Sequence, residues 1–75
     1  KNPADVGARL ALGRGLLAAR EFERAFAELW AAAQADLAFQ GGEPKKALLE
    51  AFGVLGEESP LTKTYRRKLS VLLCS

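Results

Sequence analysis

Apolar residues along this chain recur at spacings of three and four, the period that lines one side of an α-helix. The repeat is strongest over residues 22–39, where Phe22, Ala25, Phe26, Leu29, Ala33 and Leu37 form a broad stripe. Glu21, Glu23, Arg24 and Glu28 fall on the polar side of the same segment. Over residues 3–19, Val6, Leu10 and Leu17 recur beside Gly13, while Arg9, Arg14 and Arg20 point elsewhere. Residues 44–55 align Leu48, Ala51, Phe52 and Leu55, and residues 60–73 align Leu61, Tyr65, Leu69 and Leu72. The pattern predicts an all-α fold of four helices.

The breaks between these segments carry their own chemistry. Asn2 can cap the first helix, Pro3 suits its first position, and Asp5 lies near its positive end. Gln40-Gly41-Gly42-Glu43-Pro44 cannot continue a helix, so residues 40–43 are a joint between hairpins 3–39 and 44–73. Gly56 is a C-terminal stop for the third helix. Ser59 and Pro60 restart the chain, with Glu57 and Glu58 near the positive end of the fourth helix. Leu49 and Val54 widen the apolar face of the third helix, which implies contact with more than one neighbour.

Small residues sharpen the picture in the first half. Leu12, Gly13 and Leu16 line one side of the first helix, and Phe22, Ala25, Leu29 and Ala32 line one side of the second. Gly13 and Ala25 have almost no side chain, so two antiparallel helices can approach closely there while the larger residues fill the surrounding space. On these residues the stretch ARLALGRGLLAAREFERAFAELWAAA resembles a tetratricopeptide repeat. Arg9 stands where that family commonly has a bulky aromatic, Arg20 where it has a turn glycine, and Leu37 where it has a proline. The spacing alone also suits a generic αα-hairpin.

Seventy-five residues make one small domain, 1–75, which buries only a modest share of its surface. A net charge of +2 is too small to imply nucleic acid or a membrane by itself. The chain has one cysteine, Cys74, and no histidine. These exclude an internal disulfide, a CxxC redox pair and a cysteine–histidine metal cluster. No nucleophile–base pair is visible, and Gly41-Gly42 is no phosphate loop, because it follows a helix and precedes Lys45-Lys46 rather than a lysine and a hydroxyl. No catalytic residue, metal or cofactor is expected, and the chain does not read as an enzyme. No signal peptide or bilayer-spanning run is present in the sequence, so a soluble, cytoplasmic setting is expected. The start at Lys1-Asn2-Pro3, without methionine, reads as part of a longer protein.

Trp30, Lys63, Arg66 and Arg67 are the candidate partner-binding residues. Trp30 lies at the edge of its stripe, where it either closes the core or contacts another protein; the high average burial of tryptophan favours the core. Lys63, Arg66, Arg67 and Lys68 surround the apolar side of the fourth helix. Cations are favourable towards a helix C-terminus, so a solvated face explains them, and a surface for acidic protein segments is the next reading. Nucleic acid is disfavoured, because no aromatic beyond Tyr65 is interleaved with them.

The second half, PKKALLEAFGVLGEESPLTKTYRRKLSVLL, is similar to the C-terminal helices of bacterial thioredoxin-like proteins that carry a tetratricopeptide tail. The match rests on Leu48, Leu49, Phe52, Leu55, Pro60, Leu61, Tyr65, Arg66, Arg67 and Leu69. The resemblance implies a co-chaperone or stress-response role with a thioredoxin-fold domain ahead of this tail. It also implies protein partners: that upstream domain, a chaperone or a client polypeptide. A structural oligomerisation domain, with a homodimer as its product, and a basic helical nucleic-acid binder are the alternatives.

Overall fold

The first helix starts on a side chain. The Asp5 carboxylate accepts a hydrogen bond from the Ala8 N–H at 3.0 Å, while the Asp5 backbone is extended at φ −68° and ψ 94°. Asp5 is therefore the cap, at the positive helix end where the sequence places it, and helix α1 runs over Val6–Ala18, a later start than the expected one. The expected roles of Asn2 and Pro3 lie outside the described residues; the structure, a computed structural model, describes residues 5–74.

Three further helices follow among the described residues, α2 over Phe22–Ala35, α3 over Glu43–Leu55 and α4 over Pro60–Cys74, with a 3₁₀ turn at Phe39–Gly41. No strand occurs among the described residues. The architecture is all-α, and consecutive helices pair as antiparallel hairpins. Helix α2 is the hub: α1, α3 and α4 all pack against it.

The turn between α1 and α2 is short and fully bonded. Arg20 takes a positive φ of 65°, its N–H donates to the Leu17 carbonyl at 3.0 Å, and the Glu21 N–H donates to the Leu16 carbonyl at 2.8 Å. This is a Schellman ending, in which the residue past the cap is left-handed and is usually glycine. Arg20 thus adopts the conformation that the missing turn glycine would have supplied.

Helix α2 ends earlier than its apolar stripe suggests. The chain leaves the helix at Asp36, which is extended at φ −162°, and residue 37 onward belongs to the connection. Aspartate competes with the helix for backbone hydrogen bonds, and the departure lets Leu37 and Phe39 fold back onto the core. Phe39 lies over α1 at Gly7, where an added Cβ would meet its Cζ at 3.4 Å. Gln40, Gly41 and Gly42 then carry successive positive φ angles of 48°, 74° and 97°. Glycine suits this reversal, and the Gly42 carbonyl accepts the first bond of α3 from the Lys46 N–H at 3.0 Å. Pro44 sits within the first turn of α3, where its missing N–H costs nothing.

The core is one cluster. Phe26, Leu29, Leu48 and Phe52 are wholly enclosed, joined by Val6, Leu10, Ala32, Ala33, Ala47, Ala51 and Leu69. Phe26 stands at its centre, stacked on Phe52 at 5.7 Å and on Tyr65 at 5.0 Å between ring centroids. One aromatic of α2 therefore links both helices of the second hairpin to the first. Leu49 and Val54 do not extend this core; they are 43% and 56% exposed. Helix α3 reaches its several neighbours through Pro44, Ala47, Leu48, Ala51 and Phe52 instead.

Candidate functional site

Helices α1 and α2 approach closely at Gly13. A Cβ added there would lie 2.6 Å from Leu29 Cδ2 and 2.7 Å from its Cγ, so α1 can lie on α2 at this point only because the side chain is a hydrogen. Gly13, Ala25, Leu29 and Ala32 are buried, and Leu16 and Phe22 are half-buried. Leu12 does not line the contact and is 49% exposed. Helix α1 buries Val6, Leu10 and Gly13, a stripe rotated away from Leu12, because the helix meets α2 and α3 together rather than α2 alone.

Arginines tie the periphery of this contact. Arg9 donates to Glu28 of α2 at 3.2 Å. Arg14 donates to both Glu43 at 2.9 Å and Glu50 at 3.1 Å, clamping α1 to α3. All are at least partly solvated, so each pair contributes at most about 1 kcal/mol. They orient the hairpins more than they hold them. Sequence spacing has no signal for the Arg14 clamp, since its carboxylates belong to another helix.

The candidate partner-binding residues separate into two groups. Trp30 is half-buried and packs against the core, its ring edge-on to Tyr65 at 6.3 Å. Arg66, although exposed, is turned to internal work: it forms an ion pair with Glu57, and its guanidinium lies 4.7 Å from the centroid of the Phe52 ring. Lys63 and Arg67 are exposed and form no ion pair among the described residues. Lys68 lies over the Tyr65 ring at 5.5 Å. The structure thus brings Trp30, Tyr65 and Phe52 into one aromatic neighbourhood and leaves Lys63 and Arg67 on the outside.

Thr62 is a feature that the periodicity hides. It is completely buried in the first turn of α4, and its hydroxyl has no hydrogen-bond partner among the described residues. Among the described residues no three histidine, cysteine, aspartate or glutamate side chains gather to hold a metal ion. Cys74 is exposed with a free thiol.

Two antiparallel helical hairpins, the first closed over a small residue and both docked on a shared core, define a helical-repeat scaffold. Residues 1–74 match the family described as tetratricopeptide repeat, and the chain belongs to that family. No curated protein and no solved structure matches it. Repeats of this kind generally mediate contacts with protein partners. None of the described helices is long and apolar enough to cross a membrane.

Proposed function

We propose that this chain is a protein–protein interaction module, the C-terminal tetratricopeptide part of a thioredoxin-like co-chaperone or stress-response protein working in the cytoplasm. The observation that carries the first half of this reading is family membership across residues 1–74. A repeat of this kind buries one side of each hairpin and presents the other to a neighbour or a ligand. Leu12, Leu49, Val54, Val71 and Leu73 are large apolar residues left exposed, which fits a chain whose surface is covered by something else. The co-chaperone half rests on the similarity of the segment from Pro44 to Leu73 to thioredoxin-linked tails. It carries with it a single domain over 1–75, an upstream thioredoxin-like domain, and a chaperone or client as partner. Catalysis has no place in this reading, and redox chemistry would belong to the upstream domain.

Two measurements test it. The parent gene should encode a thioredoxin-like domain upstream; a DNA-binding or coiled-coil domain there would overturn the co-chaperone half. Light scattering of the domain in reductant, across a range of concentrations, followed by capture from a cell extract, tests the interaction half. A domain that neither associates with itself nor retains any protein would leave only a passive appendage.

A further inference from the structure

Helix α4 carries Lys63, Arg66, Arg67 and Lys68 and no acidic residue. Its inner side is spent on the core through Thr62, Tyr65, Leu69 and Leu72. Opposite that side, Lys63, Arg67 and Val71 stand at spacings of four and form one stripe along the helix. All three are exposed, Val71 at 65%. Two cations without a carboxylate partner among the described residues, continued by a solvent-exposed valine, make a face that is both basic and apolar.

We propose that this outer face of α4 is a docking surface for an acidic, partly apolar segment of another protein. The inference rests on the reading of the chain as an interaction module and names the surface and the partner's chemistry. Carboxylates spaced to meet Lys63 and Arg67 supply the charge complement, and an apolar side chain one turn further along covers Val71. Nucleic acid fits the face less well. Tyr65, the aromatic of α4, is stacked inward on Phe26 at 5.0 Å and cannot receive a base. An anionic membrane also fits less well, because the apolar side of α4 that would enter a bilayer is already buried in the core.

The test uses the whole domain and a short synthetic peptide alternating glutamate with leucine, followed by amide chemical-shift mapping. The expected result is a set of shifts centred on Lys63, Arg67 and Val71. Binding should weaken at least about tenfold in the double variant Lys63→Glu/Arg67→Glu, and it should fall with ionic strength as the Debye length shrinks from about 10 Å to about 3 Å. Both side chains are solvated, so circular dichroism of the variant should match the parent. Arg66 is left unchanged, since it holds Glu57 and Phe52. Shifts mapping to another surface, or an unchanged affinity in the double variant, would overturn the proposal. So would tighter binding of a DNA oligonucleotide or of phosphatidylserine vesicles than of the peptide. Partners captured equally by parent and variant would remove this face while sparing the interaction module; capture of nothing by either would remove the module itself.

Discussion

The two hairpins reach the same topology by different means. The first is held by a small residue in the helix interface: Gly13 allows α1 onto Leu29, and the turn ends on Arg20. The second is held by rings: Phe52 and Tyr65 each stack on Phe26, and Arg66 covers the Phe52 ring from outside. Close backbone approach leaves little free volume, so the first hairpin should respond to added atoms. Aromatic stacking concentrates contact area in few side chains, so the second should respond to their removal.

The largest effect is expected from removing the ring that joins both hairpins. Phe26→Ala should cost about 3–5 kcal/mol, because it deletes a fully buried ring together with two stacking partners. A domain of this size has a total stability of about 4–11 kcal/mol, so the variant should be largely unfolded or close to it. Chemical denaturation measures this. A loss under about 1 kcal/mol would mean that the hairpins do not depend on each other through this residue.

Adding atoms at the first interface comes next. Gly13→Ala brings a methyl against Leu29, which is itself fully buried, and overpacking of this kind costs about 1–3 kcal/mol. Helix propensity returns less than about 1 kcal/mol, so a net loss is expected. Gly15→Ala is the internal control. Its Cβ would meet nothing within 4 Å, and it should raise the melting temperature through propensity alone. If both substitutions stabilise, the close contact is absent in solution.

Thr62→Val probes the second interface with a change of almost constant shape. The threonine hydroxyl is enclosed without a partner among the described residues, and an unsatisfied buried hydroxyl costs about 1–3 kcal/mol. Replacing it with a methyl should therefore stabilise the domain, by about 1 kcal/mol once imperfect fit is allowed for. A destabilised variant would show that the hydroxyl is bonded, through water or a rearranged backbone.

How much of this was legible in the sequence depends on how many readings a residue type allows. The four helices were legible, because Phe22 to Ala33 and Leu61 to Leu72 each fit one helical side and no other element. Leu10 against Leu12 was not. Helix α1 carries Leu10, Leu12, Leu16 and Leu17 around most of its circumference, so period alone could not choose which pair faces inward. The end of α2 was obscured because Leu37 continues the stripe in sequence, while Asp36 turns the chain in space. Among the basic residues, Arg66 and Arg67 are adjacent and chemically identical. Only the position of Phe52 and Glu57 on the facing segment assigns one to contacts within the chain and leaves the other to solvent. Thr62 shows the reverse limit: a polar residue within an exposed-looking first turn is completely buried in a helix that packs against both α2 and α3.

The turns sharpen the comparison further, and one of them carries the smallest expected change. Both hairpins reverse through a residue with positive φ, Arg20 at 65° and Gly56 at 90°, yet only the second is glycine. The difference follows from where each backbone lies. A φ near 65° falls in the left-handed helical region, which a side chain can occupy at a cost of about 1–2 kcal/mol. Arg20 offsets part of that cost by lying over the Phe22 ring at 5.4 Å, a contact of about 0.5–1 kcal/mol. Gly56, at φ 90° and ψ 159°, occupies a region that essentially only glycine visits. Gly56→Ala should therefore lose about 1–3 kcal/mol although the added Cβ would meet nothing within 4 Å. Arg20→Gly should change stability by less than about 1 kcal/mol, since relief of strain is set against the lost ring contact and the greater freedom of glycine in the unfolded chain. Melting the two variants side by side gives the answer. Equal losses at both turns would mean that Arg20 holds the first hairpin through its side chain rather than through its backbone.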